Sequence, residues 1–136
     1  MPVLVARRPP EAPFPKRILV ATDGSADAQR AVELTARISH RHRSSVYMLS
    51  VEPSSHGDPN RIVVNAVDLT AELGAEPTLI RESGHAADRI LATAAAQGAS
   101  LITLGSRGLT GVRALGSVSE RVAHRAHCSV LVARPA

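Results

Sequence analysis

The residues best suited to chemistry lie in one run, Gly105-Ser106-Arg107-Gly108-Leu109-Thr110-Gly111-Val112-Arg113-Ala114-Leu115-Gly116-Ser117-Val118-Ser119-Glu120. Glycine lets backbone N–H groups approach a ligand, and successive N–H groups form anion-binding concavities. Ser117 and Glu120 have capping-box spacing, which predicts a helix start there. The free N–H groups and positive dipole end of such a helix suit a phosphate. Ser117 and Ser119 add hydroxyl donors. The plainer reading is a cap and a turning loop; four glycines in twelve residues, after a buried strand and before a capped helix, weigh against it. Standard alternatives fail on spacing. The chain has no G-x-x-x-x-G-K-[ST], no G-x-G-x-x-G and no G-x-S-x-G, so it lacks the signatures of a P-loop, a dinucleotide fold and a nucleophile elbow.

A second candidate is Asp23-Gly24-Ser25. An aspartate there can face a ligand, or it can simply organise a turn or cap the following helix. The six histidines do not make a metal site by spacing. His40 and His42 flank Arg41 at the predicted end of a helix, where cations complement the dipole. His124 and His127 lie beside Cys128, but no second ligand pair has zinc-like spacing. His85 lies near the ligand edge without a fixed role, and Arg113 is a further candidate phosphate contact. No general base is positioned by any motif, so an enzymatic role is not expected.

These segments need a scaffold. Arg17 to Thr22, Ser45 to Val51, Pro77 to Glu82, Leu101 to Gly105 and Ser129 to Ala133 read as five strands. Helical spacing of apolar residues predicts helices over about 26–41, around Ile62 to Leu73, from Ala87 to a stop at Gly98, and from Ser117 to Ala126. The strands are continuous apolar runs rather than alternating ones. That implies burial on both faces, as in a parallel sheet covered by helices. The expected fold is therefore a doubly wound, Rossmann-like α/β sheet with five parallel strands and helices on both faces. Ligands of such sheets bind beyond the carboxyl ends of the strands, where strand order reverses. Residues 1–15 hold five prolines and read as a flexible leader, leaving 16–136 as the folded domain.

Composition narrows the function. With 136 residues and 44% apolar content the chain can bury a single core. Phe14 and Tyr47 are the only aromatics, too few for base-stacking platforms, and the net charge of +4 is dispersed. Nucleic acid is not an expected partner; a small anion is. The single cysteine forbids an intrachain disulfide. No apolar run reaches a membrane span, and Val3 to Ala6 is too short for a signal-peptide core, so a cytoplasmic location is expected.

Several of these segments together resemble the universal stress protein family. Ile18-Leu19-Val20-Ala21-Thr22-Asp23-Gly24-Ser25 is similar to its opening strand and turn. Gly105-Ser106-Arg107-Gly108 followed by Gly116-Ser117-Val118-Ser119-Glu120-Arg121-Val122 is similar to its nucleotide loop, and Cys128-Ser129-Val130-Leu131-Val132 to its closing strand. The resemblance covers about residues 16–136. It implies strand order 3-2-1-4-5 and a stress-response regulator that binds ATP, ADP or AMP, with Mg where phosphates require it. It places Asp23 near the ribose and a nucleotide-bound metal, and Val51 against adenine through its backbone. Gly105, Arg107, Gly108, Gly116, Ser117, Val118 and Ser119 would surround ribose and phosphates. It also implies a homodimer through the last strand, at Val130, Leu131 and Val132. The alternative within the family is a dimeric interaction module without nucleotide. One departure stands out: ATP-binding members carry G-x2-G-x9-G-[ST], whereas seven residues separate Gly108 from Gly116. Two missing residues shorten the reach by about 7 Å if extended or about 3 Å if helical. That spacing favours AMP or ADP over ATP.

Overall fold

A computed structural model describes residues 2–7, 14–52, 58–106 and 117–134. The domain begins with β2 (Arg17–Ala21), preceded by a short β1 (Val3–Val5). Ile18, Leu19 and Val20 have no solvent exposure, which is why this run of branched residues is stable only as a central strand. Next comes α1 (Ala26–His42). Ser25 caps it by accepting a hydrogen bond from the Ala28 amide at 3.2 Å, and His40, Arg41 and His42 occupy the last turn. The chain continues through β3 (Ser45–Glu52) and α2 (Pro59–Glu72), where Asp58 caps the first turn by accepting from the Asn60 amide. It then forms β4 (Thr78–Ser83) and α3 (Ala86–Gln97), which Gly98 ends in the left-handed conformation at φ 66°. Finally come β5 (Leu101–Gly105), α4 (Ser117–Arg125) and β6 (Ser129–Ala133).

The sheet has six strands in the order β1-β6-β5-β2-β3-β4. Strands β2 to β6 pair in parallel, and β1 pairs antiparallel with β6. The expectation of a five-stranded, wholly parallel sheet is thus corrected to six strands and a mixed sheet. The added strand comes from the segment read as a flexible leader: Val3, Leu4 and Val5 lie opposite Val132, Leu131 and Val130. Four apolar residues between prolines are too few to announce a strand, but three of them suffice to extend a sheet that already exists.

Both faces of the sheet are packed. On one, Leu19, Leu49, Ile102, Val130 and Val132 meet Ala87, Ile90, Ala94 and Val122 of α3 and α4. On the other, Val20, Val46, Met48 and Ala133 meet Ala31, Val32 and Ala66 of α1 and α2. The alternation of side chains along each strand feeds both layers, so continuous apolar runs are required. Alanines on the helices let them lie close to the sheet. A hydroxyl pair joins Thr35 of α1 to Thr103 of β5 and satisfies two buried polar groups. At the far edge β4 is mostly exposed and carries Arg81 and Glu82, charges that discourage pairing with another strand.

Candidate functional site

The strand order reverses at β2, which sits between β3 and β5. A crevice at the carboxyl end of that junction follows from the topology. One wall begins where β2 stops. The Thr22 amide donates to the Leu49 carbonyl at 3.0 Å, the last bond from this chain segment to β3. Asp23 then folds back, its Oδ1 accepting from the Ser25 amide at 2.9 Å, while Gly24 takes φ 84°. A β-carbon at that φ would be strained, so the glycine permits the turn. Asp23 is half-buried at the rim.

Beneath the rim lies a residue that sequence patterns did not single out. Asp27, 1% exposed, accepts from the Ser25 hydroxyl at 2.7 Å and from the Ser106 hydroxyl at 3.1 Å. It therefore ties together the turn after β2, the first turn of α1 and the end of β5. An acid in a first helical turn was visible in sequence; its bond to Ser106, 79 positions away, was not. Ser106 is also fixed through its backbone, its amide donating to the Ala133 carbonyl at 2.8 Å. The chain thus enters the glycine-rich run from an anchored residue.

Gly105 has a structural reason of its own. A β-carbon there would stand 2.6 Å from the Ala28 amide nitrogen and 2.7 Å from the Asp27 carbonyl carbon. The missing side chain is what allows the start of α1 to rest on β5. The sequence reading assigned this glycine to ligand approach; its immediate neighbour is a helix.

Val51 lies beyond the last rung between β2 and β3. Leu49 directs its carbonyl to the β2 side and Glu52 directs its carbonyl to the Gly84 amide on the β4 side. Alternation along the strand turns the peptide groups of Val51 to the β2 side, where β2 has already ended. They face the crevice. On the β4 side the wall is braced: Arg81 donates to Glu52 Oε1 and to Asn60 Oδ1, each at 2.7 Å, linking β4, β3 and the first turn of α2.

Helix α4 starts at Ser117, as its sequence predicts. Val118 is half-buried and packs against the core under α3 and α4, and Ser119 is fully buried. These two therefore help seat the helix. Arg107, Gly108 and Gly116 lie outside the described residues. Asp23, Val51, Gly105, Ser119 and Asp27 share the carboxyl end of the sheet.

Other candidates lead elsewhere. Among the described residues no group of three or more His, Cys, Asp or Glu side chains could hold a metal ion. A half-exposed carboxylate such as that of Asp23 suits Mg2+, which takes one or two carboxylates together with substrate phosphates. Cys128 is half-buried, and burial pushes its thiol above 9.0, opposed by its own backbone hydrogen bond and by Arg7. A groove lined by His40, Arg43, Ala71, Gly74 and Glu76 lies at the opposite end of α1. Among the described residues no helix is long and apolar enough to cross a membrane. The outer edge of β6, expected to meet a second copy, is occupied by β1.

A doubly wound sheet whose glycine-rich exit from β5 starts at an anchored Ser106 defines a small Rossmann-like α/β domain. Comparison with known proteins makes this specific. The model of the universal stress protein family matches residues 15–134, and the chain belongs to that family. It is 30% identical to the universal stress protein YxiE of Bacillus subtilis over 145 residues, covering 87% of this chain and 98% of that one. A Thermus aquaticus universal stress protein is 33% identical, over 88% of this chain and 98% of its own. Among solved structures, a universal stress protein in complex with cAMP superposes with a TM-score of 0.77 at 26% identity, covering 88% of this chain and 96% of that one.

Proposed function

We propose that this chain binds an adenine nucleotide at the carboxyl end of β2 and β5 and acts as a regulatory protein of the stress response. The observation that carries the reading is the end of β2 short of β3, with the peptide groups of Val51 turned to the side that β2 has left and the Asp23 turn beside it. A backbone N–H and C=O pair recognises the edge of adenine without any specialised side chain. The similar universal stress protein solved with cAMP supports an adenine ligand for this fold.

In this arrangement adenine lies against Val51 and the ribose beside Asp23. The phosphates lie towards the start of α4 and the run from Arg107 to Gly116, which supplies N–H donors and the positive helix end. Mg2+, where present, neutralises phosphate charge, with Asp23 as the carboxylate that faces it. Ser106 and Asp27 act as positioning residues that hold the root of the phosphate-binding run. Seven residues between Gly108 and Gly116 leave less chain to wrap a terminal phosphate, so AMP and ADP are preferred to ATP. Ligand binding biases the conformation presented to partners.

The test is calorimetric titration of the purified chain with AMP, ADP and ATP, beside chromatography of any nucleotide released on denaturation. Tighter binding of AMP or ADP than ATP is expected, and Gly116→Val should abolish it while the fold persists. ATP binding as tight as ADP refutes the preference. No binding and no thermal stabilisation by millimolar nucleotide refutes the nucleotide reading and leaves a nucleotide-free interaction module.

A further inference from the structure

The strand that closes the sheet edge is a copy of the strand it covers. Residues 3–7 read Val-Leu-Val-Ala-Arg, and residues 130–134 read Val-Leu-Val-Ala-Arg. The pairing is antiparallel and places Val3 opposite Val132, Leu4 opposite Leu131 and Val5 opposite Val130. A β6 strand meeting the β6 of a second copy about a two-fold axis through Leu131 would make the same set of pairs. Val130 would face Val132, and Leu131 would face itself. Such self-complementary contacts are what a two-fold dimer requires.

The equivalence extends past the strand. Arg7 reaches back to α4, donating to the carbonyls of Ala123 and Ala126, and its amide donates to Ser129 Oγ. In the two-fold pairing Arg134 of the second copy would stand where Arg7 stands. Within the single chain the Nε of Arg134 is buried and has no hydrogen-bond partner among the described residues. The valines also correspond: Val3 and Val5 pack against the same core cluster that contains Val130 and Val132.

We propose that residues 3–7 act as an intramolecular stand-in for the last strand of a second copy, so that the N-terminal segment and a second copy compete for one edge. Without β1, β6 would present an apolar row of unpaired backbone groups, a template for strand addition. β1 is only three residues long, its Leu4 is 56% exposed, and Arg7 is its main polar anchor. A strand so short is displaceable. The edge therefore has two occupants with the same sequence, and the state of the N-terminal segment selects between one-chain and two-chain forms.

The experiment measures molar mass by light scattering for the full chain and for a variant lacking residues 2–7. The full chain should run at the mass of one chain, and the deletion variant at twice that mass at the same concentration. Leu131→Lys in the deletion background should restore the single-chain mass, because it sets two ammonium groups opposite each other on the axis. A folded deletion variant that remains a single chain overturns the proposal, as does a full chain that is already dimeric and unaffected by the deletion. If circular dichroism shows that the deletion variant does not fold, Arg7→Ala in the full chain decides. It loosens β1 without removing it and should raise the two-chain fraction at least several-fold; an unchanged mass overturns the proposal.

Discussion

Replacing Gly105 with alanine tests the packing account of the site root. The added methyl would sit 2.6 Å from the Ala28 nitrogen and 2.7 Å from the Asp27 carbonyl carbon, both backbone atoms of the first turn of α1. Separations below about 3 Å are not tolerated, and neither neighbour can rotate away. The start of α1 must lift from β5, and the bond from Ser106 to Asp27 stretches with it. Overpacking of this kind costs about 1–3 kcal/mol. The φ of Gly105 lies outside the left-handed region, so alanine also gains about 0.4–1 kcal/mol by restricting the unfolded chain. The difference centres on a net loss of about 1.3 kcal/mol, or about 4–5 °C in Tm for a domain of this size. The chain has one tyrosine and no tryptophan, so urea and thermal unfolding are best followed by far-ultraviolet circular dichroism. On the proposed reading nucleotide affinity should fall in parallel, since the displaced segment is the root of the glycine-rich run. An alanine variant as stable as the parent would refute the close approach of α1 to β5.

Two further outcomes follow from the same geometry. Ser25→Ala removes both the cap of α1 and one donor to Asp27, and should cost about 1–2 kcal/mol in a urea titration. Burial raises the Cys128 thiol above 9.0, so the unfolded chain loses its proton first; stability is unaffected by this group at neutral pH and declines as pH rises past about 9. Cys128→Ser should remove that part of the decline, seen as a urea-midpoint difference between parent and variant that changes from pH 8 to pH 10.

Most of the scaffold was legible because its physics is local. Runs such as Ile18-Leu19-Val20 can be stable only between two helical layers, and Gly98 marks a helix end by its own conformational preference. What escaped depends on pairs distant in sequence. β1 is too short to be read alone, and its partner lies more than a hundred residues away; the repeated Val-Leu-Val-Ala-Arg was the available signal. No spacing singles out Asp27, because Ser106 reaches it only in the folded chain. The resemblance gave Gly105 a ligand role; its packing role against the first turn of α1 shows only in the folded chain. Asp23 and Val51 lie where β2 and β3 come to their carboxyl ends, because strand ends are fixed by the same runs that define the strands.

The anchoring of Ser106 bears on how this family can diversify. Ser106 is fixed to Ala133 and Asp27, and α4 is seated by its own buried residues Ser119 and Val122. Ten residues connect these two fixed points. Lengthening such a connection from ten to twelve residues changes the closure entropy by only about 0.2 kcal/mol. Insertions and deletions there are thus nearly invisible to folding. The length of this stretch is free to drift until a ligand gives it selective value, so descendants of one stable scaffold can change or lose nucleotide preference without passing through an unfolded ancestor.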